Sequence, residues 1–387
     1  MAEHEQVREE QSELGEATGV ELEKQQLEAV DHIDQPFDPD RIDVTTRNPT
    51  VDLLLSRIRS GTIDLEPDFQ RRRGIWTDQR QSRLIESMLL RIPLPTLYAA
   101  EDADERWAIV DGIQRLTAIL RFIEPEAMNT KPLHLSGLEY LGKQYSNAGF
   151  HDLPGRLQTR LRETELVLHL IRQGTPEEVK YNIFARINTG GMPLSAQELR
   201  HALIAGPIRA RLKALAESTE FVSATSGSIR DERMADREMV LRFIAFYLQP
   251  AKEYTSQDFD DFLRKAMHES NALSATAWQT VEGDFRASMN AAKAIFGVFA
   301  FRKLYSLGGD RYPINKALFD TISGNLAKLT DVERQRLVKN REGVMTAFVE
   351  LMSNHDFDSS ISQGTGDVAK VRLRFSEVQK LFAGVLS

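Results

Sequence analysis

The chain has 387 residues, 41% of them hydrophobic, and a formal net charge of −8. That is enough length and apolar content for two domains with sizeable cores. It contains no cysteine, which excludes disulfides, thiol nucleophiles and cysteine-ligated zinc. No apolar run approaches the ~18 residues of a membrane span, and the N-terminus is acidic rather than a secretory leader, so a cytoplasmic protein with no membrane partner is expected.

Residues 1–45 read as an acidic disordered tail, rich in glutamate and glutamine with little periodicity. Fourteen Asp and Glu stand against three Lys and Arg there, a net of −11, which leaves +3 for the remainder. A core so near neutrality permits nucleic-acid binding without arguing for it. The tail reads as a solubiliser, or as a competitor of nucleic acid for a basic groove.

From Thr50 the pattern tightens. Val51 to Ile58 predicts a helix stopped by Gly61, and Thr62 to Leu65 a short strand. Phe69 to Trp76 brackets three arginines with aromatics, a pairing that suits phosphate contacts and base stacking, or equally a solvated loop anchored by its two rings. Thr77 caps a helix whose apolar face is Leu84, Ile85, Met88 and Leu89, ended by Ile92-Pro93-Leu94-Pro95. Two strands, Thr96–Ala100 and Arg106–Val110, flank Asp102–Glu105 as a hairpin. The second strand turns through Asp111-Gly112 into a helix with Ile113, Leu116, Leu120 and Ile123 on one face.

That turn is the centre of the sequence. A strand passing through glycine into a helix leaves free N–H groups at the helix start, a seat for an anion. Asp111 is equally a candidate N-cap, with Gln114 completing a capping box. Arg115 fits capping poorly, because a cation in the first turn faces the positive end of the helix dipole. Either Asp111 or a bound phosphate would offset it.

Further on, Gly137 to Gln144 fits a phosphate-binding loop except that Gln144 replaces the Ser or Thr that would hold magnesium, and no long helix follows, so that reading is rejected. Thr164 to Ile171 predicts a strand, with His169 read as a core or surface histidine. Thr175-Pro176-Glu177-Glu178 and Ser195-Ala196-Gln197-Glu198 mark two helix starts. Arg186 and Asn188 end the first of these helices, where Asn188 serves as a C-cap or reaches a ligand. Residues 206–387 have helical periodicity and predict a mainly helical second domain. The charge-dense run Arg233–Glu238 is expected to face water, with the first domain as the alternative neighbour.

Asp111-Gly112-Ile113-Gln114-Arg115-Leu116-Thr117 resembles the D-G-Q-Q-R-x-T signature of the N-terminal domain family of GmrSD-type restriction endonucleases, with Ile113 where the commoner form has glutamine. Gln70-Arg71 followed by Trp76 is similar to a second family segment. Phe184-Ala185-Arg186-Ile187-Asn188, then Gly191, Leu194 and Glu198, resembles a third. The resemblance implies an α+β chain: a ParB/sulfiredoxin-like nucleotide-binding domain over residues 46–205, then a helical domain over 206–387. It implies that a nucleoside triphosphate with Mg2+ is bound by Gln70, Arg71, Gly112, Arg115, Thr117, Arg186 and Asn188. Asp111, Gln114 and Arg115 would be catalytic, with Asp111 holding the metal.

In two-part members of the family a His-Asn-His nuclease does the cutting. After residue 205 the only histidines are His268 and His355, without metal-ligand spacing, so that half is expected to be missing. A P-D…E-x-K nuclease is poorly supported, since Pro67-Asp68 is far from Glu178-Val179-Lys180. Two functions follow as expectations. One is a nucleotide-dependent DNA-processing or restriction component of phage-defence type that hydrolyses a triphosphate. The other is a non-catalytic nucleotide-sensing module that binds DNA or recruits a separate nuclease subunit. Direct phosphodiester cleavage by the N-terminal domain is a weaker third.

Overall fold

The computed structural model describes residues 7–11, 17–22, 42–65, 76–102, 104–128, 130–187, 194–256 and 258–387. The chain divides into two compact units, residues 35–194 and residues 195–387 with residues 1–34. It is an α+β chain whose C-terminal region is mainly helical, and 59% of the described residues are helical.

Two strands, β1 (Glu9–Gln11) and β2 (Ala17–Glu21), precede the first of these units. The unit itself holds a five-stranded mixed sheet in the order β3-β7-β5-β6-β4, built from β3 (Val44–Arg47), β4 (Ile63–Asp64), β5 (Leu97–Glu101), β6 (Trp107–Asp111) and β7 (Leu168–Ile171). β5 and β6 form the expected hairpin, closed by the Asp102 N–H on the Arg106 carbonyl at 3.0 Å. The unit's helices are α1 (Val51–Arg59), α2 (Asp78–Leu89), α3 (Ile113–Ile123), the single turn α4 (Gly142–Tyr145), α5 (Gly155–Glu163) and α6 (Glu177–Ile187). Thr50 and Thr77 cap α1 and α2 through their hydroxyls, as expected. One face of the sheet (Leu97, Ala99, Ile109, Leu168, Leu170) joins the apolar sides of α1, α2, α3 and α5 in a single core. The strand Leu168-His169-Leu170 alternates, so its leucines enter this core and His169 lies on the opposite face.

The second unit contains α7 (Ala196–Leu203), α8 (Ile208–Ala216), α9 (Thr219–Ala224), α10 (Ala235–Leu248), α11 (Phe259–Ala272), α12 (Ala275–Phe296), α13 (Lys316–Ala327), α14 (Asp331–Lys339), α15 (Arg341–Met352), α16 (His355–Ser362) and α17 (Val368–Leu386). All twelve residues of α13 are buried. A helix covered on every side must pair its polar groups internally. Asp320 takes Arg242, the Thr321 hydroxyl donates to the Arg374 carbonyl, and the Asn325 amide donates to the Phe375 carbonyl.

Three expectations are corrected here. The acidic tail is not structureless throughout: β1 and β2 pair antiparallel, and Val20 is fully buried. The Glu21 N–H donates to the Ile314 carbonyl at 2.8 Å, and the buried Glu21 carboxylate accepts from Lys303 Nζ at 2.7 Å and Asn315 Nδ2 at 2.9 Å. Paired charges cost far less to bury than lone ones, so an acidic segment can enter a core. Second, the unit boundary falls before α7 rather than after residue 205, because α7 is tied into the helical unit. The Ser195 hydroxyl donates to the Arg233 carbonyl, and the Arg200 guanidinium pairs with Asp260 and lies 3.7 Å from Glu238. Third, the run Arg233–Glu238 does not face water. Met234, Asp236 and Arg237 are buried, and Glu238 meets Lys316 at 3.2 Å and Arg242 at 3.9 Å. A dense charge run is a solvated face only when its counter-charges are absent; here they lie within the unit.

Candidate functional site

The site is the end of β6 and the start of α3. Asp111 is the last residue of β6 and Gly112 the N-cap of α3, at φ +99°. Only glycine accepts that conformation readily, and a Cβ there would fall 2.1 Å from Leu97 Cδ2. The expected capping box is absent. The N-cap has no side-chain hydrogen bond, and Asp111 turns its carboxylate elsewhere: Oδ2 accepts from Arg115 Nη2 at 2.9 Å. The first-turn N–H groups of an 11-residue helix are therefore left without a side-chain cap.

Arg115 is buried and committed. Its Nη1 donates to the Pro95 carbonyl and, at 3.2 Å, to the Thr96 carbonyl, while Nη2 holds Asp111. Its guanidinium braces the loop before β5 against the turn, which offsets the cost of a cation at a helix start. The Asp111 side chain remains 42% exposed, and it is Oδ2 that Arg115 holds.

Of the other sequence-predicted residues, Gln114 is half-buried and its Oε1 accepts from the Trp76 N–H at 3.5 Å, so the turn and the Trp76 segment meet. Gln81 Nε2 fixes Trp76 from the other side, on its carbonyl at 2.6 Å. Thr117 is buried and its hydroxyl donates to the Ile113 carbonyl at 2.8 Å, so its own helix takes it up. Ile113 packs in the apolar core. Arg186 lies exposed in the last turn of α6. Gln70, Arg71 and Asn188 lie outside the described residues.

Sequence reasoning missed two features. One is Tyr98 and His169 on the sheet face away from the core, for which the polar-in-apolar alternation of β7 was the available signal. The other is Glu86. Its buried carboxylate accepts the N–H groups of Glu139 at 2.9 Å, Tyr140 at 2.8 Å and Leu141 at 2.7 Å. These lie in the rejected phosphate-loop look-alike, where an internal carboxylate now occupies the N–H groups an anion would use. Burial pushes the Glu86 carboxyl up, but the three N–H donors and Arg83 outweigh it and hold it below the usual range.

A folded-state value below the unfolded one contributes stability that is present above the unfolded pKa, about 4.3, and lost as pH falls through the folded value. Glu86→Gln keeps one acceptor oxygen but opposes an NH2 to the third N–H, and should cost about 2 kcal/mol at pH 7. The melting temperatures of wild type and variant should converge as pH falls below about 4. A gap that stays constant with pH would show that the carboxylate charge plays no part.

Among the described residues there is no cluster of three or more metal-ligating side chains, and no helix is long and apolar enough to cross a membrane. A mixed sheet whose hairpin runs through a glycine turn into an uncapped helix defines an α+β domain with an anion-compatible strand-to-helix turn. Residues 51–205 match the family model described as GmrSD restriction endonuclease, N-terminal domain, so this part of the chain is similar to that family. Neither the curated proteins nor the solved structures give a significant match.

Proposed function

We propose that the protein is a nucleotide-dependent DNA-processing component of a restriction system, with the phosphates of a nucleoside triphosphate seated at the Asp111–Arg115 turn. The observation that carries this reading is the uncapped start of α3 behind a half-exposed carboxylate. The N–H groups and helix dipole favour an anion, and Gly112 leaves room for its approach to the backbone. A carboxylate beside phosphates requires a cation between them, and magnesium takes one or two protein carboxylates together with phosphate oxygens. Asp111 suits that part, held in place by Arg115. When bound, magnesium would neutralise phosphate charge. Gln114 stands in the first turn to orient a water. Gln70, Arg71, Arg186 and Asn188 complete the proposed binding set by family resemblance, and DNA is the proposed macromolecular partner.

Incubation with each triphosphate and magnesium tests the proposal, by calorimetric binding and phosphate release. Binding with turnover, abolished by Asp111→Ala, is the expected result; neither binding nor turnover would sink it. The burial of Ile113 in the core favours a second reading, because it removes a polar group from the turn. On that reading the protein senses a nucleotide and recruits a separate nuclease, and it would bind without turnover.

A further inference from the structure

The face of the sheet away from the core carries a polar row that the turn does not account for. In register, Asp111 on β6 lies opposite Tyr98 on β5, Tyr98 opposite His169 on β7, and His169 opposite Thr46 on β3. Asp111 comes opposite Tyr98 through a break in the β5–β6 register, where Ala99 still faces Ile109 and Val110 is the extra residue. Bulges of this kind re-aim side chains and are common beside functional sites. The Tyr98 and His169 rings sit 5.2 Å apart between centroids, tilted by 43°. His169 Nδ1 is hydrogen-bonded to the Thr46 hydroxyl at 2.9 Å, which fixes the imidazole in rotation and leaves Nε2 as its second polar atom. Both rings are half-buried and Thr46 is exposed, so the row opens to solvent.

Neighbouring strands are about 4.8 Å apart, so Asp111 and His169, two strands away, are separated by about 10 Å. That is the scale on which a nucleotide's phosphates and its base are separated. An aromatic shelf with one fixed ring nitrogen, running sideways from an anion seat, suits a flat heteroaromatic group. We infer that Tyr98, His169 and Thr46 form the nucleoside half of the site, with the base on the Tyr98–His169 shelf. This rests on the reading of the Asp111 turn as the phosphate half.

The full-length chain should be titrated with nucleoside triphosphate and, separately, with inorganic tripolyphosphate, each with magnesium. Tyr98→Leu and His169→Leu should each weaken nucleoside triphosphate binding about tenfold, since stacking on one aromatic accounts for about one decade, and leave tripolyphosphate binding unchanged. Tyr98→Phe should retain the affinity. His169→Gln, which keeps polarity without the ring, serves if the leucine variants fold poorly, and should lose affinity as they do. Unchanged nucleoside triphosphate affinity, an equal loss for tripolyphosphate, or a loss confined to binding of a DNA oligonucleotide would each overturn the inference. If wild type binds tripolyphosphate as tightly as the nucleotide, the shelf is refuted and the phosphate seat survives. If it binds neither, both readings fall.

Discussion

Replacing Asp320 with alanine should destabilise the helical unit by about 3–5 kcal/mol. Asp320 is fully buried in α13. Its Oδ1 accepts from Arg242 Nε at 2.9 Å, its Oδ2 from Arg242 Nη2 at 2.7 Å, and Arg374 Nη2 lies 3.6 Å away. The Arg242 and Arg374 side chains are 2% and 0% exposed, so truncation would leave two guanidinium groups facing each other out of reach of water. Asp320→Asn keeps the shape but not the charge and should cost a large part of the same amount. The midpoint of denaturant unfolding measures both variants. A loss under about 1 kcal/mol would show that the neighbouring carboxylates satisfy the arginines without Asp320. Glu238 belongs to the same network. Burial pushes its carboxyl up, but Lys316, Arg200 and Arg242 outweigh it and hold it at about 2. Its contribution is thus present above about pH 4.3 and lost as the pH falls from there towards 2.

What the sequence shows and what it hides divide along one physical line. Periodicity, caps and glycine turns are local, so Thr50 and Thr77, the hairpin around Asp102–Glu105 and the helix after Gly112 are all readable from neighbouring letters. Pairing of charges across the fold is not. Glu21 meets Lys303 and Asn315 from almost the other end of the chain, and nothing in the run before it says that a partner waits there. The same holds for Glu238 and for Glu86. In each case the donors that place the carboxylate are ones that only the fold brings near. The turn at Asp111 shows the limit at the site itself. Sequence offered Asp111 as a helix cap or as an ion-pair partner of Arg115; the second is observed. Gly112 already supplies the N-cap conformation, and the carboxylate has a stronger partner four residues on. His169 illustrates the converse: its alternation with Leu168 and Leu170 was legible, but the Tyr98 ring beside it depends on strand order.

The variant Arg115→Ala separates structure from function at the turn. Arg115 joins three acceptors, the Pro95 and Thr96 carbonyls and the Asp111 carboxylate. Its side chain is only 10% exposed, so solvent cannot replace those bonds fully. Hydrogen bonds to a charged group contribute roughly 1.5–3 kcal/mol each and are not additive, and about 3 kcal/mol of lost stability is expected. Relief of a cation from the positive helix end returns at most about 1 kcal/mol. Arg115→Lys should recover only part of the loss, because a single ammonium cannot span the three acceptors as the planar fork does. Under the proposed function the alanine variant should also bind nucleoside triphosphate about tenfold more weakly at temperatures where it remains folded. It has lost both a nearby positive charge and the brace that orients Asp111. Melting temperature and nucleotide affinity, measured on both variants, decide between the roles. Lower stability with unchanged affinity would make Arg115 a brace for the β5 loop alone and would remove it from the nucleotide site. Unchanged stability would contradict the three-acceptor geometry, since a buried guanidinium with those contacts cannot be removed without cost.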